Sequence, residues 1–359
     1  MKKFLISVLS CIALSPCLSA ADTLNVALAL PFRAGSTPSN QAFAFYSGAL
    51  LAIREAAEDS LAVNAEVIDV EQQGVSFTGE QMLSYDIFLG PFKPGEVSLL
   101  ADLMPEGKFL ISPIDPACIS LVDSLRIIHT PTMVPWQYNQ LAKWAGEDFG
   151  PADAVAVVHE ASSSGSALEI VTEKLQEDQI PYTLFSVNSF EDIGSMLSEI
   201  SSAEGVTRII LLAENEDFAK RILEVAGTLS DAGGVSTYAL AKVRTFDSIT
   251  DEVKAAAGLK ILAEYFTDAG DAATEDFSRL CNKFYKCSPS QFTYHGYDVM
   301  RFFIRMFLSY GKDWACHFEG DRDKGLQTDF RFVRYGTGFV NTALRRIGYS
   351  KHGQILSMD

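Results

Sequence analysis

Between residues 24 and 241, short apolar runs of strand length alternate with segments whose apolar residues recur at helical spacing. That alternation constrains the chain most. Strands separated by helices pair in parallel, and a parallel sheet needs helices over both faces. Runs at 24–31 (LNVALALP), 65–70 (AEVIDV), 86–90 (DIFLG) and 108–112 (KFLIS) read as four strands. A polar loop over 32–40 precedes a helix on which Phe43, Tyr46, Leu50, Ile53 and Ala57 share one face, with Ser39 or Asn40 as its cap. A shorter helix over 96–104 stops at Pro105.

The pattern then restarts. Strands are predicted at 154–159, 182–187, 207–213 and 235–241, with helices at 166–177, 193–202 and 217–229. Two such runs are too regular for one small sheet and imply two α/β lobes. Helices at 276–286 and 296–310 have no strands of their own, so they must complete a sheet begun earlier. Residues 327–349 read as two alternating strands joined by a Gly336-Thr337-Gly338 turn. Crossings between lobes are placed at 130–135 and 260–266. The expected division is a leader at 1–21, lobe 1 at 22–131, lobe 2 at 132–262, a return to lobe 1 at 263–313, and tail strands of lobe 2 at 314–359.

Lys2 and Lys3 followed by an apolar run over 4–14 and small residues at Ser19, Ala20 and Ala21 form a secretory-leader pattern. The protein is therefore expected in the periplasm. Pro16 before Cys17 and the short run before Cys11 argue against a lipid anchor, and no later segment reaches the roughly 20 apolar residues of a membrane helix. The chain has 46 acidic residues against 29 basic, and losing the two leader lysines takes the net charge from −17 to −19. A surface so acidic repels phosphate backbones and anionic membranes, which excludes general nucleic-acid binding. Four cysteines follow the leader. Cys281 and Cys287, in CNKFYKC, are the candidate disulfide, against the alternative that all four are free buried thiols.

Catalytic signatures are missing. There is no Gly-x-Ser-x-Gly elbow, Walker loop or Gly-x-Gly-x-x-Gly fingerprint, and the five histidines lack metal-ligand spacing. Cys316 and His317 are adjacent, but sequence neighbours point different ways, so packing or a disulfide explains them better than catalysis. Neither enzymatic activity nor a cofactor is expected.

The segments LNVALALPF, FYSGALLAIREA, DIFLGPFKPGEVSLLADLMP and FLISPIDP, then HGYDVMRFF, resemble in order the type I periplasmic binding proteins of the branched-chain amino-acid receptor group. Gly48-Ala49, Gly90-Pro91 and Ser112-Pro113 stand at that family's landmarks. The short polar stretch EQQGVSFTGEQM, where many members have a full helix, is similar to an envelope branch associated with LysM modules and cell-wall enzymes. The resemblance implies two Rossmann-like three-layer lobes that close over a ligand at their strand ends. It further implies capture of a small polar or anionic solute, with an ABC permease as partner. The alternative is a ligand-free envelope interaction protein that regulates or scaffolds peptidoglycan enzymes.

In this family the ligand is held just after the Gly-Pro and Ser-Pro strands. Here Pro94 replaces an expected serine, and Asp115-Pro116 replaces an Ala-Thr pair, which argues against ordinary α-amino-acid recognition. Other polar groups fall at predicted strand ends. Arg33, Ser36, Lys93 and Asp115 are the candidates in lobe 1, and Ser163, Ser164, Glu214 and Lys242 those in lobe 2. The SSSGS stretch also reads as a plain helix cap, and Glu214, Glu216 and Asp217 as a helix-start charge pattern.

Overall fold

The computed structural model describes residues 23–33, 37–59, 61–71, 76–162, 165–188, 193–200, 204–229, 234–350 and 355–358. The leader, Ser36, Ser163 and Ser164 lie outside the described residues.

The chain runs β1 (Leu24–Leu30), α1 (Asn40–Glu58), β2 (Val63–Asp69), α2 (Gly79–Ser84), β3 (Ile87–Leu89), α3 (Pro94–Ala101), β4 (Leu110–Ser112), α4 (Ile119–Val122) and β5 (Ile127–Thr132). It continues α5 (Val134–Glu147), β6 (Ala154–Glu160), α6 (Ser166–Glu177), β7 (Thr183–Val187), α7 (Ile193–Glu199), β8 (Thr207–Leu212), α8 (Glu216–Thr228), β9 (Val235–Leu240), α9 (Asp251–Ala256) and β10 (Leu259–Ala263). The last third holds α10 (Ala272–Tyr285), α11 (Gln291–Tyr310), β11 (Arg322–Asp323), β12 (Phe330–Tyr335), β13 (Gly338–Asn341), β14 (Arg345–Tyr349) and β15 (Ile355–Ser357).

Two parallel-dominant sheets result, one per lobe, as the alternating pattern predicts. The first has the order β11-β12-β13-β5-β4-β3-β1-β2 and the second β15-β14-β10-β9-β8-β6-β7. The tail is a correction to the expected division. It divides between the lobes, with β13 pairing parallel to β5 in lobe 1 and β14 pairing antiparallel to β10 in lobe 2. The Gly336 turn forms, at φ 58, but it joins β12 to β13, and a third strand follows. Phe330, Phe332 and Phe339 bury against Phe302, Phe303 and Phe318 of lobe 1, which draws these strands to that sheet.

The α1 face also differs from expectation. Its buried residues are Ala42, Phe45, Gly48, Ala49, Leu51, Ala52 and Ala56, while Phe43 is exposed. The reason is close packing on α11. A Cβ at Gly48 would lie 1.9 Å from the Thr293 carbonyl oxygen, and one at Gly296 would lie 2.0 Å from that of Phe45. A stripe of small residues lets the two helices touch backbone to backbone. Helices α10 and α11 begin earlier than predicted because Asp271 and Ser290 cap them, accepting from the amides of Thr274 and Thr293.

Three crossings connect the lobes: β5 to α5, β10 to α10, and β13 to β14. Hydrogen bonds tie each pair of crossings. Thr132 N donates to Glu264 Oε1 at 2.8 Å, Trp136 Nε1 to the Thr342 carbonyl at 3.0 Å, and Arg345 Nη1 to the Phe266 carbonyl at 2.6 Å. Asp298, fully buried, accepts from the amides of Leu326, Gln327 and Thr328 at 2.7–2.9 Å and holds the loop that Arg345 also grips.

Candidate functional site at the junction of the lobes

The topology fixes where a site must lie. The first crossing leaves lobe 1 from the carboxyl end of β5, and the second leaves lobe 2 from the carboxyl end of β10. The carboxyl ends of both parallel sheets therefore face the junction, the location where open α/β sheets form crevices.

In lobe 1, Arg33 and Lys93 meet there through a residue that sequence reasoning missed. Glu71, just past β2, accepts from Arg33 Nε at 2.6 Å and from Lys93 Nζ at 2.5 Å. The Lys93 hydrogen bond, with Arg33 assisting, holds the Glu71 carboxyl below its ordinary range. The same contact raises Lys93. Glu96 lies 3.7 Å from Lys93, and its own burial raises its carboxyl. Arg33 adopts a left-handed backbone, φ 59, and its amide and that of Phe32 both donate to Asp69. Gly90, at φ 92, closes the neighbouring strand end, where a Cβ would lie 2.2 Å from the Ala29 carbonyl oxygen.

Lys93 and Asp115 also start helical turns. Pro94 occupies the first position of α3 and Pro116 that of a 3-10 turn over Pro116–Cys118. A proline there gives up an amide that has no intrahelical partner anyway. Asp115 Oδ1 caps the turn, accepting from Ala117 N at 2.9 Å. Beneath it, Ser112 and His129 pair across β4 and β5, both fully buried. Ser112 Oγ and His129 Nδ1 have no hydrogen-bond partner among the described residues. Burial pushes His129 down to about 4 and keeps it neutral.

In lobe 2, Glu214 and Lys242 form an ion pair, and the Tyr138 hydroxyl of α5 donates to Glu214 at 3.3 Å. Burial, then the Glu214 charge, pushes Tyr138 up to about 12. Tyr138 was also missed, because Pro135 obscured the start of α5. Asn215 caps α8, and Glu216 and Asp217 occupy its first turn, the plain helix-start arrangement. Each polar cluster stays within its own lobe.

A cavity of about 130 Å³ opens where the β4 end meets the second crossing, lined by Ile114, Tyr265, Gln291, Phe292, His295 and Gln327. His295 spans it from α11, with Nε2 2.5 Å from the Pro113 carbonyl and Nδ1 3.0 Å from Thr328 Oγ1. Burial pushes it down to about 4. Cys281 and Cys287 carry no bridge: both are free thiols, as are Cys118 and Cys316. Among the described residues, no helix is long and apolar enough to cross a membrane.

The two lobes, their three crossings and the facing strand ends define a bilobal α/β architecture. Comparison with solved structures shows it to be the type I periplasmic binding protein fold. A putative branched-chain amino acid ABC transporter protein from Rhodospirillum rubrum superposes at TM-score 0.61 and 15% identity, covering 94% of this chain and 100% of that one. A branched-chain amino acid ABC transporter periplasmic ligand-binding protein from Burkholderia xenovorans superposes at 0.54 and 10%, covering 94% of each. An ABC transporter substrate-binding protein from Desulfitobacterium hafniense, in complex with Leu, superposes at 0.52 and 14%, covering 94% and 100%. No family model and no curated protein sequence matches the chain.

Proposed function

We propose that the protein is an extracytoplasmic solute-binding protein that closes its two lobes over a small polar or anionic ligand for an ABC importer. The observation that carries this reading is the pair of parallel sheets whose carboxyl ends face one junction, each bearing a charged cluster. The solved relatives of the same fold, among them one in complex with Leu, support it. Arg33 and Lys93 share one carboxylate, so a ligand anion entering between them would take up the role that Glu71 plays. Ser36, Ser163 and Ser164 are proposed to add hydroxyl donors from the loops after β1 and β6. Asp115 shapes the rim through its cap, and Glu214 and Lys242 contact the ligand from lobe 2 on closure. Binding to both lobes in the closed state draws the population toward closure. Neither chemistry nor a cofactor enters this function, and residues 1–21 act as the export leader, without a lipid anchor.

A thermal-shift screen against amino acids, organic acids, sugars and small phosphates tests the reading. A ligand at a hundred times its dissociation constant should add about 2.7 kcal/mol to stability. If no compound moves the midpoint, the receptor reading fails. A second reading, an envelope protein that recruits cell-wall enzymes, is favoured by α2. This six-residue helix leaves Val67, Leu83 and Leu99 exposed on lobe 1. On that reading, Leu99→Glu disrupts partner binding without changing the thermal midpoint.

A further inference from the structure

Helix α10 ends in a left-handed cap that lies between two cysteines. Lys286 turns into the left-handed region, φ 58, and its amide donates to the Asn282 carbonyl at 3.1 Å. This single bond satisfies one of the last carbonyls of the helix, and the left-handed residue turns the chain off the helix axis. The next residue is Cys287, exposed, and Cys281, just over one turn before the cap, is buried in the lobe 1 core. Both cysteines line one cavity of about 440 Å³, together with Phe43, Tyr285 and Phe292. Burial pushes the Cys281 thiol up to about 12, and negative charge on Cys287 pushes the same way. The shared cavity wall and the charge of Cys287 that Cys281 feels put the two thiols in one neighbourhood of lobe 1.

We propose that Cys281 and Cys287 form a redox-modifiable pair, converted to an intramolecular disulfide by exchange with an oxidised dithiol. Exposed Cys287 gives its proton to solvent, and the thiolate attacks one sulfur of the donor disulfide. A mixed disulfide forms and the first donor thiolate leaves. Cys281 then loses its proton and attacks Cys287 Sγ, the bond to the donor breaks, and the second donor thiolate leaves. Two electrons and two protons pass from the protein to the donor. The exposed thiol begins the exchange because the buried one resists ionisation. The bridge ties α10 to residues 287–290, whose Ser290 caps α11, and so fixes the wall of the cavity. The pair does not depend on the ligand reading.

The full chain, taken through a series of glutathione redox buffers, alkylated and digested with trypsin without reduction, tests the proposal. Lys283 and Lys286 lie between the cysteines, so trypsin yields fragments that a Cys281–Cys287 bridge alone keeps joined. Two alkylatable thiols should be lost per chain, the joined fragments should separate on reduction, and the thermal midpoint should rise on oxidation. Cys287→Ser, at an exposed position, should fold normally and show none of the three changes. Full alkylation of both cysteines across the series, glutathione on Cys287 with Cys281 still alkylatable, or a Cys287–Cys316 bridge would each overturn the proposal.

Discussion

Glu264 reaches across the junction to hold the amide of Thr132, and the surrounding protein raises its pKa to about 7 although the residue keeps some solvent contact. The folded state therefore holds this proton more tightly than the unfolded chain does at 4.5. Its contribution to stability is complete below pH 4.5 and is lost as pH rises through 7. Glu264→Gln keeps an oxygen for Thr132 and cannot titrate. Its urea midpoint should vary less between about pH 5 and 8 than that of the unmodified protein, and at about pH 8 it should be more stable by about 1–2 kcal/mol. An unchanged pH slope would show that Glu264 is not the responsible group. His129 and His295 act with the opposite sign. Both are held down to about 4, so their contribution is complete above 6.5 and lost as pH falls through 4. The two effects oppose each other in mild acid, and removing Glu264 should expose the histidine-driven loss.

The contact between α1 and α11 depends on the absence of side chains. Gly48→Ala puts a methyl group 1.9 Å from the Thr293 carbonyl, where neither backbone has room to yield. A loss of about 3 kcal/mol is expected in chemical denaturation. Gly95→Ala, on α3 with nothing near its Cβ, should stay within about 0.5 kcal/mol. The same contact explains what the sequence hid. Periodicity weighs large apolar residues, so it pointed to Phe43, which is exposed, and to Tyr46 and Ile53, which pack half-buried on the core, whereas the fully buried stripe is mostly alanine and glycine. Strand runs and lobe number were legible because parallel strands buried on both faces read as unbroken apolar segments. The tail was not, since alternating strands show which face is buried and not which sheet they join. At the candidate site, the strand-end rule led to Arg33, Lys93, Glu214 and Lys242. Glu71, two residues past β2, also stands at a strand end, but nothing in the sequence shows that its carboxylate bridges Arg33 and Lys93.

At the scale of the whole molecule, neither lobe is a continuous piece of chain. β13 closes the β5 edge of the first sheet, and Arg345 grips carbonyls of Gly325, Leu326 and Phe266 from the start of β14. A chain stopped at Gly320 loses both. It should elute as aggregate in size-exclusion chromatography and lose the cooperative urea transition of the first lobe. A monomeric, cooperatively unfolding fragment would show that β1 to β5 suffice. The arrangement also sets a timetable. A chain delivered amino-terminus first presents β5 with a bare edge for some two hundred residues before its neighbour arrives. An unpaired edge recruits other strands. The interval between synthesis of Thr132 and synthesis of Asn341 is thus the period in which this protein most needs to be kept away from copies of itself.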